Sequence, residues 1–242
     1  MRKALLVAML FGAACEAAAD EKATAIADDM MKALGGQEHW DRARFIRFTF
    51  VRQGRRLNLT WDRDTGRYRL EAMNDAGVPY VVVMNLHTRQ GRAAVEGRPL
   101  DGQELSEYLN LANRVWTGET YWLLAPYKLR DPGAILTYEG EESAGGVVQD
   151  RLHLRFENVG LTPGDQFWLY VNRNTHLLDR WRFKLQGGTE GDFRWTSWER
   201  FGGILLATER VSATGERILF EDIIVTDSLP DEVFTSLAPL NP

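Results

Sequence analysis

The sequence predicts a mainly β protein with helices added, an α+β fold in which about ten or eleven strands form antiparallel structure. Three observations lead to this class. Apolar and polar residues alternate with the two-residue period of strands through most of 46–95 and 135–225. Turn signals containing glycine interrupt that alternation about every 8–12 residues. Two stretches, 21–34 and 101–125, instead show the three- and four-residue spacing of helices.

Residues 1–19 are predicted to be a secretory signal peptide. A basic start at 1–3 precedes an uncharged, mostly apolar run over 4–14, and small residues follow as far as Ala19. The run is shorter than the roughly 20 apolar residues that span a bilayer. Cleavage after Ala19 leaves a mature domain of 20–242, which we expect in the periplasm.

A second cleavage site competes with the first. Gly12-Ala13-Ala14-Cys15 resembles a bacterial lipobox, although Gly12 stands where such motifs usually carry Leu. In that case 1–14 is the leader and Cys15 is acylated, which anchors the protein at the periplasmic face of the outer membrane. That lipid is the only membrane contact expected, and the sequence leaves both outcomes open. Cys15 is the only cysteine, so no disulfide forms within the chain.

The first helix is predicted at 21–34, where apolar residues recur on one face: Ala23, Ile26, Ala27, Met30, Met31 and Leu34. Gly35-Gly36 supplies its C-terminal stop.

A first meander of strands follows. Alternation predicts strands with one buried and one solvent-facing side at three places: 46–50, 57–61 and 68–72. On the third strand, Arg67, Arg69 and Glu71 are expected to face solvent. Residues 79–86 are apolar almost throughout, as in a strand that is covered on both faces. A short strand around 92–95 ends the meander.

Residues 101–125 are predicted to form a helical cover on the sheet. Leu105, Tyr108 and Ala112 carry helical spacing, and a second short helix around 120–125 ends before Pro126.

Alternation then returns and predicts further strands: 135–138, 152–156, 166–172, 178–185, 193–198, 204–211 and 217–225. Gly187–Gly191 and Gly202-Gly203 are predicted turns between them. After the last strand, residues 230–234 are expected to tuck Phe234 back onto the fold. No linker or repeat interrupts the pattern, so we expect a single domain over 20–242.

No catalytic or metal-binding motif is present in the sequence, so we expect no enzyme activity, no metal and no cofactor. The four histidines lack metal-ligand spacing, and no G-x-S-x-G motif occurs. The paired carboxylates Asp62 and Asp64, and Glu141 and Glu142, are expected to be solvated groups in turns. The net charge of -5 argues against nucleic acid as a partner.

Aromatic residues are concentrated on the predicted strands, among eight Trp, seven Tyr and eleven Phe in the chain. Core packing explains most of them, because aromatic residues favour strands. Trp168 and Tyr170, however, alternate with Phe167 and Leu169, so both faces of that strand carry large groups. One face can be covered by helices; the other implies a second cover, a ligand or a partner surface.

Taken together, several features resemble one family: a signal, a helix that ends in Ala33–Gly36, a long antiparallel meander, a helical cover, and a return meander that closes on Leu229–Phe234. This combination is similar to the LolA/LolB-like outer-membrane lipoprotein-sorting fold, and especially to its uncharacterised periplasmic relatives. The resemblance implies a single curved antiparallel sheet, or open half-barrel, with helices as a lid around an apolar cavity that holds acyl chains.

Transferred to this chain, the resemblance implies lid helices in 21–34 and 101–125 and a set of cavity-facing residues: Leu57, Leu59, Trp61, Tyr68, Leu70, Tyr80, Val82, Met84, Trp181, Phe183, Phe193 and Trp195. Two features depart from the family. Its lipoprotein-handling residues are not identifiable here, and Trp116–Asp131 matches no known carrier feature.

The expected function is therefore an exported, non-enzymatic, monomeric carrier of a lipid or acyl-bearing ligand. Two alternatives remain open at this point. One is an interaction or scaffold module with a solid core and an envelope protein as its partner, which predicts an exposed apolar patch. The other is an enzyme built from dispersed polar residues, which predicts convergent buried carboxylates or histidines.

Overall fold

The structure of the protein is a computed structural model that describes residues 21–156 and 164–240. The predicted signal peptide and Cys15 lie outside the described residues. The chain divides into two compact units: unit 1 holds residues 21–34 and 126–195, and unit 2 holds residues 35–125 and 196–240. Each unit combines an early and a late part of the chain, and the single domain over 20–242 stays a prediction.

The helices are α1 (21–33), α2 (Gln37–Arg42), α3 (Gly102–Leu124), a 3₁₀ helix (Ala125–Tyr127) and α4 (Glu232–Thr235). The strands are β1 (Phe45–Arg52), β2 (Arg55–Asp62), β3 (Arg67–Met73), β4 (Pro79–Asn85), β5 (Gly91–Val95), β6 (Arg98–Pro99), β7 (Ala134–Ala144), β8 (Val147–Phe156), β9 (Gln166–Asn172), β10 (Leu178–Lys184), β11 (Glu190–Phe201), β12 (Ile204–Ser212) and β13 (Arg217–Thr226).

The strands pair in an antiparallel order that confirms the predicted class. Unit 2 holds β6-β5-β4-β3-β2-β1-β13-β12, and unit 1 holds β10-β9-β8-β7. Strand β11 gives its first residues to unit 1, where it pairs with β10, and its last residues to unit 2, where it neighbours β12. The described part has thirteen strands, more than the predicted total of about ten or eleven; twelve of them coincide with the strand ranges named above, and β6 is the additional one. The two-residue strand β6 is too short for alternation to reveal it.

The mid-chain helical insertion is one helix where two were predicted. Helix α3 is continuous over 23 residues and passes through Gly118. Glycine weakens a helix by only about 1 kcal/mol relative to alanine, so packing of the buried face of α3 can override it. The helix contacts β4, β5 and β12, which confirms its role as a cover on the sheet of unit 2.

In unit 1, helix α1 buries the predicted face, with Ala23, Ala27, Met30 and Leu34 at 3% exposure or less. The Lys22 ammonium lies 3.7 Å from the centre of the Tyr138 ring on β7. The Tyr127 hydroxyl donates to the carbonyl oxygen of Leu34 at 2.9 Å, which satisfies an acceptor near the helix end.

Strand β4 is buried over five consecutive residues, Tyr80 to Met84. This confirms the prediction that both of its faces are covered. Helix α3 packs against β4 in unit 2, and α4, in the C-terminal segment 230–240, packs against β3 and β4 as well. Phe234 of that segment is buried and stacks on Phe45 with 6.0 Å between ring centres, as predicted.

Arg69 on β3 was predicted to face solvent, and this prediction was wrong, because the side chain is only 1% exposed. Its guanidinium donates to three carbonyl oxygens of the C-terminal segment: Val233, Ser236 and Ala238. It also pairs with Glu71, which accepts a hydrogen bond from the backbone N–H of Leu240 at 3.0 Å. The covering residues lie more than 160 positions later in the chain, so local alternation could not reveal them.

Asp62 was predicted to be a solvated carboxylate in a turn, and this was also wrong, because it is completely buried between β2 and β3. It accepts hydrogen bonds from Arg44 at 3.2 Å, from Arg67 at 2.9 Å and from the Thr65 hydroxyl at 2.7 Å. Burial alone would raise the pKa of Asp62, but these donors outweigh it and hold the pKa well below its ordinary value. Its neighbour Asp64 is 60% exposed, as predicted.

None of the helices in the described ranges is long and apolar enough to cross a membrane.

We predict that Asp62→Asn lowers the free energy of unfolding by about 3 kcal/mol at pH 7, because it leaves two arginines short of their buried counter-charge. The lowered pKa means that the carboxylate contributes stability above its ordinary pKa of 3.8 and loses that contribution as the pH falls toward the folded-state pKa. The difference between the two proteins should therefore shrink below about pH 4. Urea unfolding, monitored by tryptophan fluorescence at several pH values, measures this difference in unfolding free energy.

Asp64→Asn is the matched control, since Asp64 lies in the same turn, 3.4 Å from Arg44, but is exposed. It should change the unfolding free energy by less than about 0.5 kcal/mol. Equal effects of the two substitutions would show that burial of Asp62 does not matter.

Candidate ligand-binding site

Eight of the predicted cavity residues lie on one face of the sheet of unit 2. In an antiparallel pair, directly opposed residues point to the same side. The register opposes Trp61 to Tyr68, Leu59 to Leu70, Tyr68 to Met84, and Leu70 to Val82. Leu57 and Tyr80 both oppose Ala72, which places them on the same side. The eight residues therefore share one surface, as alternation along β2, β3 and β4 predicted. We call this surface the ligand face, after its predicted role; that it binds a ligand stays a prediction.

The ligand face is shielded from solvent. Five of its members have no exposed surface: Leu57, Leu59, Tyr68, Leu70 and Val82. Tyr80 and Met84 are 3% and 5% exposed, and Trp61 is half-buried. The face continues onto β1, where Phe48 and Phe50 oppose Leu59 and Leu57.

Aromatic residues of helix α3 meet the ligand face. Trp116 packs edge-on against Trp61 with 5.3 Å between ring centres, and Tyr108 packs in the same manner against Tyr80 at 5.1 Å. The sequence analysis placed α3 as a lid but did not include these residues in the site. Their eight-residue separation, close to two helical turns, is the signal that could have identified them.

The contact between α3 and the sheet contains buried donors without partners. Within the described residues, the Trp61 indole N–H, the Trp116 indole N–H and the Tyr68 hydroxyl are buried and have no hydrogen-bond partner. Burial also raises the pKa of Tyr68 well above its ordinary value. A buried polar group without a partner costs about 1–3 kcal/mol, so this contact is not optimised for stability.

A carboxyl group lies in the same contact. Glu119 follows Trp116 by three residues on α3, which places both on the same side of the helix. Burial raises the pKa of Glu119 to about 7, and the positive charges of Arg55 and Arg52 only partly oppose that rise. The charge of Glu119 also acts on the Tyr68 hydroxyl, which shows that the two groups are close. Arg55 also acts on the Tyr80 hydroxyl, but burial has the larger effect and raises the pKa of Tyr80.

A buried arginine fixes the C-terminal end of α3. Arg210 on β12 has no exposed surface and donates to the carbonyl oxygens of Trp122 and Ala207. Its guanidinium also lies 4.9 Å from the centre of the Phe220 ring. Burial lowers the pKa of Arg210. These contacts attach the helix to the sheet of unit 2 by polar as well as apolar interactions.

The other four predicted residues, Trp181, Phe183, Phe193 and Trp195, cluster in unit 1. They are at most 8% exposed, and the rings of Trp181 and Trp195 lie 5.7 Å apart. Trp181 opposes Phe193 across β10 and β11, so the cluster occupies one side of these strands.

The opposite side of unit 1 also carries aromatic rings, as predicted from β9. Trp168 stacks on His153 with 5.1 Å between ring centres. Arg180 lies over Tyr170 at 4.6 Å and forms an ion pair with Asp192 at 2.6 Å. Charged side chains therefore cover part of this second face, and no ligand is needed to explain that part.

A shallow depression of 220 Å³ in unit 2 lies beside Phe234 and is lined by Arg67, Arg92 and neighbouring residues of β4 and β5. Of the twelve predicted residues it includes only Met84. In the part of the chain that the structure describes, no group of three or more His, Cys, Asp or Glu side chains could hold a metal ion.

Comparison with solved structures finds similar folds. One is a DUF1329 family protein from Desulfovibrio piger, with 14% identity, a TM-score of 0.49, and coverage of 91% of this chain and 99% of the other. Another is a LolA superfamily protein from Nitrosomonas europaea, with 14% identity, a TM-score of 0.45, and coverage of 83% and 97%. No family model and no curated protein matches the sequence.

We predict that Glu119→Gln removes a pH dependence of stability. Because the folded-state pKa is about 7 and the ordinary value is 4.5, the contribution of Glu119 to stability is most favourable below pH 4.5 and is lost as the pH rises through 7. The variant, which has no charge to bury, should be more stable than wild type by about 1–2 kcal/mol at pH 8 and similar at pH 4.5. Urea unfolding at both pH values measures the difference.

Glu107→Gln is the control, since Glu107 lies on the same helix but is exposed. It should not change the pH dependence. If Glu119→Gln behaves like Glu107→Gln, the carboxyl group of Glu119 is hydrated and its place in the site is wrong.

Proposed function

We propose that this protein is an exported, non-enzymatic carrier that binds a lipid or another acyl-bearing ligand on the ligand face of unit 2, beneath α3. The aromatic cluster of unit 1 is a second apolar surface for the same class of ligand. Export follows from the predicted signal, to the periplasm or, with Cys15 acylated, to the outer membrane. The protein acts as a monomer.

The observation that carries the proposal is the composition of the contact between α3 and the sheet. Apolar and aromatic side chains dominate it, yet it also holds three donors without partners and the carboxyl group of Glu119. A core selected only for stability would avoid such groups, and their clustering in one place is typical of binding sites. Each CH₂ of an acyl chain costs about 0.8 kcal/mol in water, and the apolar face offsets that cost.

The surface of the molecule favours a carrier over an interaction module. Among the described residues, the large apolar side chains that are exposed are Met73, Val148 and Ile224. They lie on three different strands, so they supply no continuous apolar patch of the kind that protein interfaces use.

The test is organic extraction and mass spectrometry of the full chain, expressed with its own leader and purified without detergent. We expect a co-purifying acyl compound at a ratio of about one or two molecules per protein, since two surfaces are proposed. After delipidation, the apolar fluorophore diphenylhexatriene should bind saturably.

Val82→Phe adds volume to the ligand face and should reduce both the extracted ligand and the fluorophore binding, provided that circular dichroism shows a native fold. Val148→Phe, at a partly exposed position, is the matched control and should change neither. A clean extract together with no fluorophore binding by wild-type protein would overturn the carrier and favour the interaction module.

A further inference from the structure

The ligand face holds a local group of polar atoms that a hydrocarbon chain cannot satisfy. Trp61 and Tyr68 stand directly opposite each other on β2 and β3, and Trp116 contacts Trp61. Their three polar hydrogens are shielded from solvent and have no acceptor anywhere in the described chain. Tyr68 is the most enclosed, with no exposed surface.

The chemistry of these three groups defines which hydrogen-bond partner each of them lacks. An indole N–H can only donate a hydrogen bond, so both tryptophans require an acceptor. The backbone carbonyl oxygens of β2 and β3 at this point already pair across the ladder. A bound molecule can supply the missing acceptors, and a compact group with one or two oxygen atoms matches donors that lie on neighbouring side chains.

We propose that Trp61, Trp116 and Tyr68 bind the carboxyl or ester oxygen atoms at the head of an acyl ligand, while its chain lies on the apolar residues of the ligand face. This inference rests on the carrier function proposed above and specifies the ligand as an acyl compound with an oxygen-bearing head. A pure hydrocarbon would gain nothing from the three donors.

The surroundings are compatible with such a head group. The positive charges of Arg55 and Arg52 act on Glu119, the carboxyl group in the same contact. Glu119, when protonated, is a further donor to an oxygen atom. A ligand without an acceptor leaves these buried donors unpaired, which is unfavourable. The site therefore prefers a ligand with an oxygen atom over a pure hydrocarbon.

The test compares three fluorescent probes on delipidated full-length protein: cis-parinaric acid, its methyl ester, and diphenylhexatriene, which has no oxygen. Tyr68→Phe and Trp116→Phe each remove one donor and keep an aromatic ring. Each variant should bind the acid, the ester or both about 3- to 10-fold more weakly and bind diphenylhexatriene as wild type does. Weakening of the acid alone assigns a carboxylate head, whereas weakening of both assigns the shared carbonyl.

Matched controls come from unit 1. Tyr170→Phe changes a buried tyrosine outside the ligand face, and Trp168→Phe changes a tryptophan outside it. Neither should affect any probe. The proposal is overturned if the site variants bind all three probes like wild type, or if they lose all three equally, which would indicate a structural role. Wild-type protein that binds none of the probes would overturn the carrier function itself.

A second measurement needs no ligand. Because the Tyr68 hydroxyl has no partner in the described structure, Tyr68→Phe should leave the urea midpoint of the delipidated protein unchanged or raise it. A clear fall in the midpoint would mean that the hydroxyl is already satisfied inside the protein, and would count against its role as a ligand donor.

Discussion

A strand that is buried on both sides requires a cover on each, and β4 sets this constraint for unit 2. The chain meets it with elements from different parts of the sequence: helix α3, inserted between β6 and β7, and the C-terminal segment that follows β13. Covers that come from far along the chain must be attached by contacts of their own. Arg69 provides one attachment, because its guanidinium is satisfied only when three carbonyl oxygens of the C-terminal segment are in place.

The sheet of unit 2 contacts both the C-terminal segment and α3, and the two contacts differ in whether their buried polar groups have hydrogen-bond partners. Toward the C-terminal segment, Arg69 is buried and donates to Glu71 and to three carbonyl oxygens. Asp62, at the end of β2, is enclosed by two arginines and a threonine. Toward α3, the indole N–H groups of Trp61 and Trp116 and the Tyr68 hydroxyl are buried without partners among the described residues. Complete satisfaction is what a structural contact achieves, and incomplete satisfaction is found where a protein gives up stability for binding. This contrast within one unit supports placing the ligand beneath α3.

Glu119 also lowers the stability of the contact between α3 and the sheet, because its carboxyl group is largely removed from solvent. A glutamine at that position would pack equally well and avoid the burial of a charge. At neutral pH the group is divided between its charged and neutral forms, because its pKa is about 7. Arg210 holds the same helix to the sheet near the C-terminal end of α3. This contact helps to keep α3 in place although the buried polar groups of Trp116 and Glu119 destabilise the contact.

The sequence by itself determined the elements that repeat locally. The two-residue period located the strands, the helical period located the buried face of α1, and the uniform apolar run of 79–86 predicted a doubly covered strand. The same period placed Leu57, Leu59 and Trp61 on one face together with Tyr68 and Leu70. Only the tertiary structure decided which polar residues are buried, because burial of Asp62 and Arg69 depends on segments far away in the chain. It also decided that Trp116, Tyr108 and Glu119 join the site, since periodicity shows that a helix has a face but not which residues of the sheet that face meets.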